Sequence, residues 1–137
     1  MAFSHLLDTS VYCQPIKPKP LPSVEHRWRV LGDEALAISV VTEAELLYGL
    51  QLAQSRNLQA SYEELLKNRL CLFGVDAVVA KAFSQIKAAA RRSGHGCADF
   101  DFLIAATAKV QGLIVATLNY RHFAPIEGLA VEDWSKE

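Results

Sequence analysis

The chain has 137 residues, 51% of them hydrophobic, and a formal net charge of −1. That length suits one domain, residues 1–137, with a real core. The composition excludes a disordered chain, and the charge excludes attachment to nucleic acid by bulk positive charge, leaving only a local basic groove. The cysteines Cys13, Cys71 and Cys97 show no CxxC or Cys/His spacing. They fit a reducing cytoplasm better than a disulfide framework or a zinc site. No signal peptide is apparent, and no apolar run approaches the ~18 residues that span a bilayer, so no membrane contact is expected.

In chain order, "FSHLL" (3–7) is the first expected strand. The segment "QPIKPKPLP" (14–22) carries four prolines and predicts an exposed, extended loop. "SVEHRWRVL" then opens a helix. "ALAISVV" (35–41) is a strand, followed by helices over "TEAELLYGLQLAQS" (42–55) and "ASYEELLKN" (60–68). "RLCLFGV" (69–75) is a strand, with Cys71 as a small core residue. A long helix over 76–94 stops at Gly94, and another over 100–112 ends at Gly112. Strands over 113–118 and 129–133 close the chain. Apolar strands alternating with helices predict an α/β fold, a mostly parallel sheet covered on both faces. In such sheets ligands gather at the carboxyl ends of the strands.

Five polar residues fall at those ends, each with an ordinary structural explanation. Asp8 follows the first strand in "HLLDTS" and suits a turn or the cap of a short helix with Thr9 and Ser10. Glu45 lies in "TEAE", which matches a capping box with Thr42 as N-cap. Glu43 shares a helical face with Leu47 and Leu50, whereas Glu45 shares one with Thr42 and Gly49. Gly49 there would allow a close approach. Asp99 suits the N-cap of the helix over 100–112, and Asp101 its first turn, where the helix dipole favours an acid. The face of Asp101 continues through Ala105, Ala108 and Gly112, all small, which predicts tight packing. Asn119 follows the strand over 113–118 and suits a turn.

Their joint placement points further. In a parallel sheet Asp8, Glu45, Asp101 and Asn119 lie near one edge and converge. Clustered carboxylates repel unless a cation joins them. Oxygen ligands without His or Cys suit Mg²⁺ or Mn²⁺ rather than zinc.

The blocks "LLDTSV", "ISVVTEAELLYGL", "ADFDFLIAATA" and "VATLNYRHF", in this order over nearly the whole chain, resemble the PIN-domain ribonucleases, and among them the VapC-type toxins of bacterial toxin–antitoxin pairs. The resemblance implies a three-layer α/β/α domain and a Mg²⁺- or Mn²⁺-dependent endoribonuclease whose products carry a 5′-phosphate and a 3′-hydroxyl. It implies that Asp8, Glu45 and Asp101 hold the metal, and that Asn119 stands at a fourth position where many members have Asp. Asn119 weakens the grip on a second ion. Thr9, Asp99 and Thr117 match supporting positions: Thr9 beside the first acid, Thr117 near the fourth. The implied partners are an RNA substrate, a small antitoxin and a second copy of the chain.

Arg121, beside Asn119, and Arg91 and Arg92 are candidates to hold RNA, with Lys17 and Lys19 on the proline segment; each also reads as a solvated surface charge. His122 is a candidate RNA contact or a surface histidine. Tyr12 and Trp28 are candidates to stack on bases, with core packing the plainer role. An alternative keeps the fold and drops catalysis, leaving a weak or inactive PIN-like module that binds RNA or protein. Asn119 favours it and the three acids oppose it. No GxGxxG turn or P-loop follows a strand, which excludes the common nucleotide-binding α/β classes.

Overall fold

A computed structural model describes residues 2–137. Five parallel strands form one sheet in the order β3-β2-β1-β4-β5: β1 (His5–Leu7), β2 (Leu36–Ser39), β3 (Cys71–Phe73), β4 (Ile114–Thr117) and β5 (Val131–Asp133). All five expected strands are present, each shorter than its apolar run. β1 is central and pairs with β2 on one side (Leu7 with Ile38) and β4 on the other (Leu7 with Ala116).

Alternation along the strands feeds two cores. Leu6, Ala37 and Val115 face one core with Phe102, Ile104, Ala105 and Ala108 of α6 (Asp99–Gln111) and Val79 and Ile86 of α5 (Ala77–Arg92). Leu7, Ile38 and Ala116 face the other. There they pack with Val11 and Tyr12 of α1 (Thr9–Tyr12), Trp28 of α2 (Pro22–Leu31), Leu46 and Leu50 of α3 (Val40–Ala53) and Tyr62 of α4 (Arg56–Leu65). Both faces are covered, which is why the strands read as unbroken apolar runs. The arrangement is the three-layer α/β/α fold. A last single turn, α7 (Tyr120–Phe123), follows β4 and was not legible as a helix.

Several local expectations are corrected. The proline segment is not wholly extended: Gln14–Ile16 form a 3-10 turn and Pro22 occupies the first turn of α2, where a missing N–H costs nothing. Only Lys17 to Lys19, Leu21 and Pro22 are exposed, whereas Gln14 is buried. Helix α3 begins at Val40 directly from β2, so Ser39 caps it by accepting from Val41 N, and Thr42 does not. The Thr42 hydroxyl is buried without a partner. Helix α4 starts at Arg56 because Ser55 caps it through Leu58 N. Cys71 is exposed, because β3 is an edge strand. Gly49 faces open space, so no close approach explains it. Gly112 ends α6 in the left-handed region at φ 69°, as its position predicts. Tyr12 and Trp28 are core residues. No helix among the described residues is long and apolar enough to cross a membrane.

Candidate active site

The strand order reverses at β1: the chain builds outward to β2 and β3, then returns to lay β4 on the other side. Ligands in open parallel sheets bind outside the carboxyl ends of the strands at this reversal. Asp8 follows β1 there, and Thr117 to Asn119 end β4 beside it, with Asp8 N donating to Ala116 O at 3.0 Å.

Asp8 is 3% exposed. Its Oδ1 accepts from the Ser10 hydroxyl (2.6 Å) and from Val11 N (3.2 Å), capping α1 as expected. Its Oδ2 accepts from the Thr117 hydroxyl at 2.5 Å. A carboxylate has about four acceptor sites, so one on Oδ2 stays open. Burial pushes the Asp8 carboxyl above the ordinary range despite these donors, and the charge of Asp101 adds to the push. Asp101 thus stands near enough for its charge to act on Asp8.

The two hydroxyls that donate to Asp8 also accept from the following loop. Ser10 Oγ accepts Leu118 N at 3.0 Å, and Thr117 Oγ1 accepts Asn119 N at 2.8 Å. The Asn119 residue itself is exposed. Ser10, expected in "DTS" only as part of the helix cap, also supports the acid itself.

Asp101 sits in the first turn of α6, its side chain 21% exposed, with Ala105 and Ala108 fully buried beneath its face as the small-residue pattern predicts. Its Oδ2 lies 3.0 Å from His122 Nδ1 on α7. Asp99 is not the N-cap; Ala98 is, and Asp99 pairs with Lys87 at 2.8 Å. Glu45 accepts from the Thr9 hydroxyl at 2.5 Å. Thr9 therefore supports Glu45, while Ser10 and Thr117 support the first acid. Glu43, three residues past the start of the same helix, accepts from the Tyr12 hydroxyl (3.0 Å) and the Tyr62 hydroxyl (2.8 Å). Burial and the Glu43 charge push the Tyr62 phenol up to about 12 and Tyr12 higher still.

Among the described residues no three His, Cys, Asp or Glu side chains stand grouped as ready metal ligands. Mg²⁺ does not require such a cage, because it keeps several waters and is held by one or two carboxylates. Asp8 and Asp101, all-oxygen and mutually repelling, with one open acceptor site on Asp8, fit that demand.

Arg121 is exposed on α7, next to Asn119. Arg91 and Arg92 are exposed in the last turn of α5. Ala89 and Ala90 of that turn, but neither arginine, line a cavity of about 560 Å³ with Lys109 in the last turn of α6, the opposite end from Asp101. Lys17 and Lys19 are exposed. A second cavity, about 540 Å³, lies between the proline segment and α2, lined by Trp28, Arg69, Glu25 and Asp33 but not by Asp8, Glu45, Asp99 or Asp101.

The PIN domain family model matches residues 5–128. The chain is 37% identical over 130 residues to the tRNA(fMet)-specific endonuclease VapC of Shigella flexneri, covering 95% of this chain and 97% of that one. Its fold matches a crystal structure of DNA-bound VapBC from Salmonella typhimurium with TM-score 0.83 and 31% identity, over 96% of this chain and 98% of that one. It matches VapBC-5 of Mycobacterium tuberculosis, a member of the VapBC family of toxin-antitoxin systems, with TM-score 0.71 and 28% identity, over 95% of this chain and 96% of that one. With the strand reversal, the acids beside it and these full-length similarities together, the chain belongs to the PIN domain family, among its VapC-type members.

Proposed function

We propose that the chain is a Mg²⁺- or Mn²⁺-dependent endoribonuclease and the toxin of a pair restrained by a small antitoxin protein. One observation carries the reading. Asp8 is buried and fixed by three donors at the strand reversal, yet none of those donors is a cation. Full-length similarity to a protein named as an endonuclease, and to a member of a toxin–antitoxin family, supports it.

Asp8, Asp101 and Glu45, the last fixed by the Thr9 hydroxyl, would hold the ion. A bound divalent ion supplies Lewis-acid polarisation of a phosphodiester and acidifies water. Asn119 brings an amide where many family members bring a charge, which favours one resident ion, any second arriving with RNA. Arg121 and His122 ride on α7 beside the acids and meet the RNA backbone there. Leu47, Tyr48 and Leu52 leave an apolar stripe exposed on α3, surface suited to a second copy of the chain.

The test incubates the purified chain with total RNA in Mg²⁺, in Mn²⁺ and in chelator, and maps the new 5′ ends. Expected are discrete metal-dependent cuts with 5′-phosphates, lost in Asp8→Asn. Equal products from the wild type and Asp8→Asn, or cleavage indifferent to chelator, would replace the nuclease by a binding module.

A further inference from the structure

Ser10 makes a second bond, beyond its donation to Asp8, that the nuclease reading does not use. Its hydroxyl donates to Asp8 Oδ1 at 2.6 Å and accepts Leu118 N at 3.0 Å. Thr117 repeats the pattern one step along, donating to Asp8 Oδ2 at 2.5 Å and accepting Asn119 N at 2.8 Å. Both carboxylate oxygens of Asp8 are thus joined, each through one hydroxyl, to two consecutive backbone amides. Those amides belong to the loop that starts α7, which carries Arg121 and His122. A hydroxyl that donates to an anion polarises toward its own acceptor side, so each relay strengthens both of its bonds.

The relay also has a base. Gln14 Nε2 donates to Ser10 O at 3.2 Å, and Gln14 Oε1 accepts Leu21 N at 3.0 Å across the proline segment. The backbone of the single turn α1 is therefore pinned at Ser10.

We propose that Ser10 is a positioning residue that locks the Asp8 carboxylate to the Leu118–Asn119 loop, so that the acid and the RNA-facing turn α7 move as one unit. This deepens the nuclease reading and rests on it for its catalytic consequence, though the lock itself does not. Ser10 touches neither RNA nor the ion; it acts through Asp8 and Leu118. Without Ser10 the carboxylate keeps Val11 N on Oδ1 and Thr117 on Oδ2, but only the Ser10 hydroxyl ties Oδ1 to the Leu118 amide.

Three variants and two kinds of measurement test the lock. Outer partners of a metal-holding carboxylate are worth about 10- to 100-fold in affinity or activity. Ser10→Ala is expected to weaken Mn²⁺ binding by calorimetry and to lower kcat for RNA cleavage within that range, with KM little changed. Ser10→Thr, which keeps the hydroxyl, is expected to restore most of both. Amide exchange at Leu118 is expected to accelerate at least tenfold in Ser10→Ala and to stay slow in Ser10→Thr. Lys81→Ala, exposed on α5 and outside the relay, should leave that exchange unchanged. Wild-type exchange at Leu118 in Ser10→Ala overturns the proposal, as does equal loss of Mn²⁺ affinity in the Ala and Thr variants. If the wild type neither binds Mn²⁺ nor cuts RNA, the nuclease reading fails by itself, and the Leu118 exchange alone then upholds or overturns the lock.

Discussion

Glu43 and Glu45 lie two residues apart in one helix, and opposite losses are expected when each is replaced by alanine. Glu43→Ala removes the acceptor of two phenol hydroxyls, those of Tyr12 and Tyr62, which are 1% and 4% exposed. The Tyr12 hydroxyl keeps only a 3.5 Å contact to Leu66 O, too long to compensate. A hydrogen bond to a charged group contributes about 1.5–3 kcal/mol, and a stranded buried donor costs about as much. Counting Tyr12 in full and letting water reach Tyr62 gives a loss of about 3 kcal/mol. For a chain of this size that lowers Tm by about 10 °C. Glu45→Ala strands only the half-buried Thr9 hydroxyl and is expected to cost under ~1 kcal/mol. Its effect should fall instead on Mn²⁺ affinity and RNA cleavage. Urea unfolding followed by far-UV circular dichroism measures the first pair of values, and calorimetry with cleavage assays the second. Equal destabilisation by the two variants, or a Glu43→Ala protein within ~0.5 kcal/mol of wild type, would refute the division of labour.

Asp99→Asn breaks a pair with Lys87 whose side chains are 59% and 40% exposed, and should change stability by less than ~0.5 kcal/mol in the same unfolding assay. Asp101→Asn should abolish Mn²⁺-dependent cleavage, read on the same RNA. Gly112→Ala forces a Cβ into the left-handed region at φ 69° and should cost about 1 kcal/mol by urea midpoint, although no neighbour obstructs the added carbon. Burial alone would raise the Glu132 carboxyl, but hydrogen bonds from Trp134 and His5 and the charges of His5 and Arg27 outweigh it and hold it below its ordinary 4.5. A depressed carboxylate contributes stability above its unfolded value and loses it as pH falls through the lower folded value. Wild-type urea midpoints should therefore drop below about pH 4.5 more steeply than those of Glu132→Gln; parallel curves would contradict the assignment.

The strands were legible because both faces of the sheet are covered, leaving runs such as 113–118 apolar throughout. Their ends were not, because backbone pairing stops where the partner strand stops, and β3 and β5 are only three residues long. Thr42 resembled an N-cap in isolation; Ser39 displaced it because β2 passes into α3 with no loop between. Asp101 was distinguishable from Asp99 through the small residues on its face, whereas Asp99 gave no sign of Lys87, twelve residues earlier on another helix. Helical periodicity did not tell Glu43 from Glu45, and only the family resemblance favoured Glu45, since the partners that separate them, Tyr62 and Thr9, come from distant segments. The Ser10 relay was hidden for the same reason: its acceptor side is a backbone amide 108 residues downstream.

That separation has a consequence for synthesis. β1 emerges from the ribosome first and β2 soon after, but the strand that completes the centre of the sheet starts at Ile114. Until then Asp8 has neither Thr117 nor Leu118 to fix it, and Asp101 has no His122 beside it. Non-local pairing of this kind forms late. A growing chain therefore carries its acids unassembled, and the site that the proposed nuclease needs does not form until β4 and α7 have been made.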